Sequence, residues 1–284
     1  MTAVLYLCSS HYIVMITYPI AKINLGLLVT EKRADGFHNI ETIFYPVLVQ
    51  DALEVVHSDK FQINITGIDL NEKPEENLVV KAYQLLKADF ELPPVNIHLH
   101  KNIPVGAGLG GGSSDASYML MLLNDLFNLE LTEKQLLAYA LQLGSDCPFF
   151  IRSKPVYAVG RGEVMEDVPL SLKGYSLVVV KPPIHISTEE AYQEIVPAKG
   201  RIALKALTRF SVAKWPGNIQ NQFERYVFAK YPEVKAVKQK LYDLGAAFAL
   251  MSGSGSAVYG LFRSEKKSII SHFPEDYQLF FQKL

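Results

Sequence analysis

Cysteine is scarce in this chain: Cys8 and Cys147 are the only two among 284 residues. They are far apart and lack metal-ligand spacing, which argues against a disulfide framework or a cysteine zinc site and fits a reducing cytoplasm, the expected location. Net charge is nearly absent as well. A formal charge of -1, from 28 basic and 29 acidic side chains, leaves no field to attract a polyanion, so nucleic acid is not an expected partner. Uninterrupted apolar runs stop short of the roughly 18 residues that a spanning helix needs, and no export signal opens the chain, so no membrane association is expected either. Internal repeats and low-complexity tracts are also missing. What the chain does have is a 49% hydrophobic content, enough for one large domain or two compact ones. Oligomeric state is not legible from these features.

Residues 1–14 read as an upstream extension, with Met15 as an alternative start. Apolar stretches at 16–28 and 44–56 predict strands separated by the polar loop EKRADGFHNIE. Asn77 to Ala88 repeats apolar residues at three and four and predicts a helix stopped by Pro93 and Pro94. Val95, Ile97 and Leu99 alternate with Asn96, His98 and His100, the period of a half-buried strand. A helix is predicted over 114–126, and another over 132–143 with a Thr132/Gln135 capping box and a stop at Gly144. A polar stretch at 164–173 predicts a domain boundary, giving domains of 15–165 and 166–284. Beyond it, strands are predicted at 175–180, 247–251 and 257–262, and helices at 188–195 and 234–244. Strands and helices mix without strict βα alternation, so the expected class is α+β in two lobes with a cleft site.

The strongest chemical signal is PVGAGLGGGSSDAS. It runs through Pro104, Val105, Gly106, Ala107, Gly108, Leu109, Gly110, Gly111, Gly112, Ser113 and Ser114 to Ser117, with a strand before it and a helix after it. Backbone N-H groups of such a loop can converge on phosphate oxygens, and the following helix adds its free N-H groups and positive dipole end. Ser113 and Ser114 offer hydroxyls for phosphate or Mg²⁺. Gly106, Gly108 and Gly111 also fit the GxGxxG dinucleotide spacing, but the strand before them alternates instead of being buried on both faces. Asp115 after Ser114, with no GK[ST], excludes a Walker P-loop.

Together with PIAKINLGL before it and SGSGSAVYG after it, this loop resembles the three motifs of the GHMP kinase superfamily. DGFH at 35–38 and GSDCPFF at 144–150 resemble one branch, the 4-diphosphocytidyl-2-C-methyl-D-erythritol kinases of non-mevalonate isoprenoid synthesis. The likeness extends from Met15 to Phe262. It implies a ribosomal-S5-like N-terminal lobe, a ferredoxin-like C-terminal lobe, ATP with Mg²⁺ as cofactor, and a small-molecule alcohol as substrate. By the same resemblance Asp146 is the base and Lys22 its partner, whereas spacing alone favours a turn aspartate and a strand-end lysine. The resemblance also assigns Asn77 and Leu78 to adenine, and Phe37 and His38 to the cytidine moiety. It sets His185 and Thr188 beside the substrate and Ser252, Gly253 and Gly255 in a supporting glycine loop. Asn24 follows Lys22 by two and shares its strand face, so it is expected to join the substrate site. Asn77 is equally a good helix N-cap, and Thr188 a helix cap. His98 and His100 have no third ligand in view and read as a solvated strand face.

Two positions depart from the family pattern: Ile20 replaces a usual proline, and Phe37 a usual tyrosine, so base stacking is retained without a phenolic hydrogen bond. The runner-up activities are another GHMP kinase, acting on mevalonate, homoserine or a sugar, and a nicotinamide-dependent oxidoreductase.

Overall fold

The structure is a computed structural model that describes residues 4–7, 13–70, 73–198, 204–265 and 267–284. Along the chain come β1 (Val4–Leu7), β2 (Ile13–Thr17), β3 (Ile20–Lys32), β4 (His38–Gln50), β5 (Ala52–His57) and β6 (Gln62–Gly67). Next are α1 (Leu78–Phe90), β7 (Val95–Lys101), α2 (Gly111–Leu126), α3 (Glu133–Leu143) and α4 (Cys147–Arg152). Then follow β8 (Val156–Val159), β9 (Val164–Asp167), β10 (Ser176–Lys181), α5 (Thr188–Gln193) and α6 (Leu204–Leu207). The chain finishes with α7 (Phe223–Lys230), α8 (Pro232–Asp243), β11 (Phe248–Met251), β12 (Val258–Phe262) and β13 (Gln278–Lys283). The class is α+β, as the irregular mixture of periods predicted.

These elements form two compact units. The first is built from the chain up to Ala21, Leu48–Val105 and Gly110–Ser153. Its sheet has the order β1-β2-β5-β7-β6, antiparallel except for the parallel β6/β7 pair. Helix α2 packs on β2 and β5, and α1 and α4 pack on α2. Val95, Ile97 and Leu99 of β7 are fully buried, each contributing about 1.5–3 kcal/mol. The same alternation puts Lys101 on the inward face. Thr132 caps α3 with the expected capping box, and Gly144 ends it.

The second unit comprises Lys22–Val47, Gly106–Leu109 and Lys154–Leu284. It holds the sheets β3-β4-β8-β9 and β11-β12-β10-β13. Val178 and Val180 of β10, Met251, Val258 and Phe262 form a core with Val234, Val237 and Leu241 of α8.

Several boundaries differ from the sequence expectation. The predicted strand at 16–28 is two strands interrupted at Tyr18 and Pro19, because proline has no N-H for a ladder. The one predicted at 44–56 breaks at Asp51, a buried carboxylate with its own partners. Helix α2 begins at Gly111, inside the glycine run, with Gly110 at φ 72° as its N-cap. Part of the polar stretch at 164–173 is β9, paired with β8. Val4–Leu7, within the stretch read as an upstream extension, pairs with β2. Cys8 lies outside the described residues, and Cys147 is buried.

Candidate active site

In the second unit three sequence segments come together through direct hydrogen bonds. The backbone N of Lys22 donates to the carbonyl of Leu109 at 2.9 Å, joining β3 to the crest of the glycine loop. Ser252 Oγ donates to the Gly108 carbonyl at 2.8 Å and accepts from the backbone N of Asn24 at 3.2 Å. Ala257 N donates to the Ala107 carbonyl at 3.2 Å, and the Tyr259 hydroxyl to the Asn24 carbonyl at 2.9 Å. The first, second and third motifs therefore share one hydrogen-bonded network.

Lys22 is 4% exposed, and its Nζ donates to Asn24 Oδ1 at 2.7 Å. Asn24 Nδ2 donates to Thr42 Oγ1 at 2.8 Å, and that hydroxyl donates to the Gly26 carbonyl at 2.6 Å. The Lys22 ammonium lies 4.9 Å from the centroid of the Phe44 ring. A buried lysine whose ammonium meets both Asn24 and the Phe44 ring is not a snorkelling strand-end residue. Strand alternation predicted the Lys22/Asn24 pair; Thr42, which orients Asn24, left no sequence signal.

The substrate candidates on this unit have separate neighbours. Gly106, at φ 58°, lies so close to His185 that a Cβ there would stand 2.5 Å from Nδ1. Thr188 is not the cap of α5; Ser187 is, accepting from Glu190 N, which frees Thr188 Oγ1 to meet Ser254 Oγ at 3.1 Å. Ser256 Oγ donates to the Ile184 carbonyl at 2.5 Å. Asn221, missed in the sequence, donates from Nδ2 to the carbonyls of Met251 and Gly253 at 2.8 Å each and so fixes the third glycine segment. Phe37 is 55% exposed, with the Arg161 guanidinium 5.0 Å from its ring centroid. His38 stacks on Tyr192 at 5.1 Å between centroids; burial, then the charge of Lys32, pushes its pKa down, favouring a neutral imidazole. Tyr192 was also missed, since an aromatic in a short helix reads as core.

The first unit carries the remaining candidates. Asp146 lies at the N-cap position of α4 but makes no side-chain capping hydrogen bond. Asn77 does cap α1, accepting from Val79 N at 2.9 Å. A Cβ on Gly112 would lie 3.7 Å from Leu78 Cδ1, so Leu78 borders the start of α2. Ser114 Oγ is buried without a hydrogen-bond partner. The Cys147 thiol is pushed up to about 11 by burial, which keeps it protonated at neutral pH. His98 and His100 each meet Thr66 Oγ1 at 3.0 Å on an exposed face, and no group of three metal-ligating side chains occurs among the described residues.

An alternating strand feeds a glycine loop into a helix, and that loop is hydrogen-bonded to the strand of a buried lysine and to a second glycine segment, joining the three motifs by which the chain resembles the GHMP small-molecule kinases. The models of the GHMP kinases N terminal domain and the GHMP kinases C terminal match residues 77–154 and 203–278. A protein of Bacteroides fragilis named 4-diphosphocytidyl-2-C-methyl-D-erythritol kinase is 52% identical over 257 residues, covering 89% of this chain and 94% of its own. One of the same name from Azobacteroides pseudotrichonymphae is 53% identical over 256 residues, covering 90% and 96%. A crystal structure of 4-(cytidine 5'-diphospho)-2C-methyl-D-erythritol kinase superposes with a TM-score of 0.75 at 33% identity, covering 91% of this chain and 93% of that one. The chain belongs to the 4-diphosphocytidyl-2-C-methyl-D-erythritol kinase family.

One consequence concerns the N-cap of α2. Gly110→Val would put a β-branched side chain at φ 72°, a conformation costing about 1–3 kcal/mol for such a residue. ATP affinity measured by calorimetry is expected to fall about tenfold or more, the equivalent of about 1.4 kcal/mol. Unchanged affinity would make the loop purely structural.

Proposed function

We propose that this chain transfers the γ-phosphoryl group of ATP to the 2-hydroxyl of 4-diphosphocytidyl-2-C-methyl-D-erythritol, as a cytoplasmic enzyme of isoprenoid precursor synthesis. The observation that carries the reading is the hydrogen-bonded junction of Lys22, Leu109, Gly108 and Ser252. Residues 104–114 cradle the phosphates with backbone N-H groups, and Asn77 and Leu78 flank the adenine. Asp146 accepts the proton of the 2-hydroxyl as that oxygen bonds to the γ-phosphorus and the bond to the ADP oxygen breaks. The Lys22 ammonium, oriented by Asn24, is assigned to steady the developing charge.

The buried, unpartnered hydroxyl of Ser114 fits a hard cation or a phosphate oxygen. Ser114 would be the side chain to help hold Mg²⁺, which would supply charge neutralisation during transfer. No described helix is long and apolar enough to cross a membrane. We assign residues 15–165 to the ATP-binding domain and 166–284 to the C-terminal domain.

Phe37, His38, His185 and Thr188 are assigned to the substrate. The exposed Phe37 ring suits a cytosine face, and the neutral His38 ring can donate or accept one hydrogen bond. Remote binding energy from the cytidine then positions the reacting hydroxyl. ADP release against a panel of alcohols tests this: the cytidylyl compound should be turned over and methylerythritol phosphate accepted poorly. Faster phosphorylation of mevalonate or homoserine would sink the substrate assignment. His38→Ala is expected to lower kcat/KM for the full substrate about tenfold or more while ATP affinity stays near the parent value, since one hydrogen bond to a charged or polar group is being lost.

A further inference from the structure

In the first unit, at the strand and helix that flank the glycine loop in sequence, three charged side chains are buried together. Lys101 is 3% exposed, Asp51 1% and Asp115 2%. Lys101 Nζ donates to Asp115 Oδ2 at 2.6 Å and to Asp51 Oδ2. Burial alone would lower the Lys101 pKa, but Asp115 and Asp51 outweigh it and raise it, while burial pushes the Asp115 carboxyl up to about 8 against the pull of Lys101. Asp51 Oδ1 accepts from the backbone N of Asn102 at 2.5 Å and of Ile103 at 2.8 Å. A Cβ on Gly111 would stand 2.9 Å from Ile103 Cγ2 and 3.4 Å from Lys101 Nζ, so the first residue of α2 rests directly on the cluster.

We infer that Lys101, Asp51 and Asp115 form a clamp that holds both ends of the ATP-binding glycine loop, making Asp51 and Asp115 positioning residues for the nucleotide phosphates. The contacts are distributed accordingly. Asp51 grips the strand-side end at 102–103, Asp115 belongs to the first turns of α2 on the helix-side end, and Lys101 bridges the two carboxylates. Residues 104–110 span the interval, so fixing their two ends removes loop conformers before ATP arrives. A purely stabilising role is a poor explanation. Buried ion clusters can often be replaced by apolar side chains without loss of stability, and here Asp115 Oδ1 is left with no hydrogen-bond partner. The cluster has two carboxylates for one ammonium, and the second carboxylate is spent on backbone N-H groups at the mouth of the loop.

The inference rests on the ATP reading above, and the test separates the two. Lys101→Met would strand two buried carboxylates and is expected not to fold, so it is not the informative variant. Asp115→Asn keeps the shape and leaves the Lys101–Asp51 pair; Asp51→Asn keeps an oxygen for the two N-H groups. Full-length variants would be compared with the parent for ATP affinity by calorimetry, KM for ATP, KM for the alcohol, and melting temperature. The clamp predicts that Asp115→Asn raises both the Kd and the KM for ATP about tenfold, the scale of one charge-assisted hydrogen bond, while KM for the alcohol stays within about twofold. Asp51→Asn should shift the same quantities in the same direction. A lower melting temperature with ATP affinity unchanged in the folded variants overturns the clamp, as does loss of folding in both. A parent that does not bind ATP removes the ATP reading and the clamp together.

Discussion

Asp146→Asn is expected to fold as the parent does and to lose about 10²- to 10⁴-fold in kcat, the usual worth of a positioned general base. The substitution is isosteric; it removes the negative charge and with it the ability to take a proton. Asp146 makes no side-chain cap to α4, and Cys147–Arg152 is stabilised by the burial of Cys147, Pro148, Phe149 and Phe150. No capping hydrogen bond of the helix is lost with the Asp146 carboxylate, and the melting temperature should move little. ATP affinity should also be preserved, because nothing in the proposed nucleotide site uses this carboxylate. The defect should appear in kcat and kcat/KM together, the pattern of an interaction made only in the transition state. Turnover within about threefold of the parent would remove Asp146 from the role of base, given that scale.

The sequence disclosed the elements whose signal is local. Strand alternation located β7, and the capping box located α3 to within a residue, because period and cap are properties of neighbouring side chains. The glycine run marked the loop for the same reason. Residues that act through distant partners were silent. Thr42 orients Asn24 across a strand pair, and Asn221 reaches Met251 and Gly253 from 30 and 32 positions away. Lys101 shows the boundary well: its inward position follows from the period of β7, yet its carboxylate partners stand 50 and 14 positions off. Asp51 looked like the middle of an apolar strand and proved to be the break in it. Thr188 was legible as a capping type, but the cap fell to Ser187 one residue earlier, where an extended backbone at φ -65° and ψ 127° lets the hydroxyl reach Glu190 N.

Gly108→Ala is expected to lower kcat/KM about 10²-fold, the cost of misplacing reacting groups by about an ångström. The added Cβ would stand 2.0 Å from the Ser252 carbonyl oxygen, 2.7 Å from its carbon and 3.0 Å from Gly253 Cα. Every one of those atoms is backbone, so no side-chain rotation relieves the overlap. The opposing residue is equally confined, since a Cβ on Gly253 would lie 2.8 Å from Gly108 Cα. The two glycine segments touch backbone to backbone, and Ser252 Oγ binds the Gly108 carbonyl at 2.8 Å across the contact. Forcing them apart must lengthen that bond and displace Leu109, whose carbonyl holds the backbone N of Lys22. Backbone strain adds to the clash: Gly108 has φ 72°, worth about 1–2 kcal/mol against a residue with a Cβ. Gly217→Ala separates the two effects, because Gly217 has φ 78° and nothing within 4 Å of a Cβ. That variant should lose about 1–2 kcal/mol of stability, by the same strain, and keep its turnover. If Gly108→Ala lost no more activity than Gly217→Ala, the close contact between the second and third motifs would have no part in catalysis.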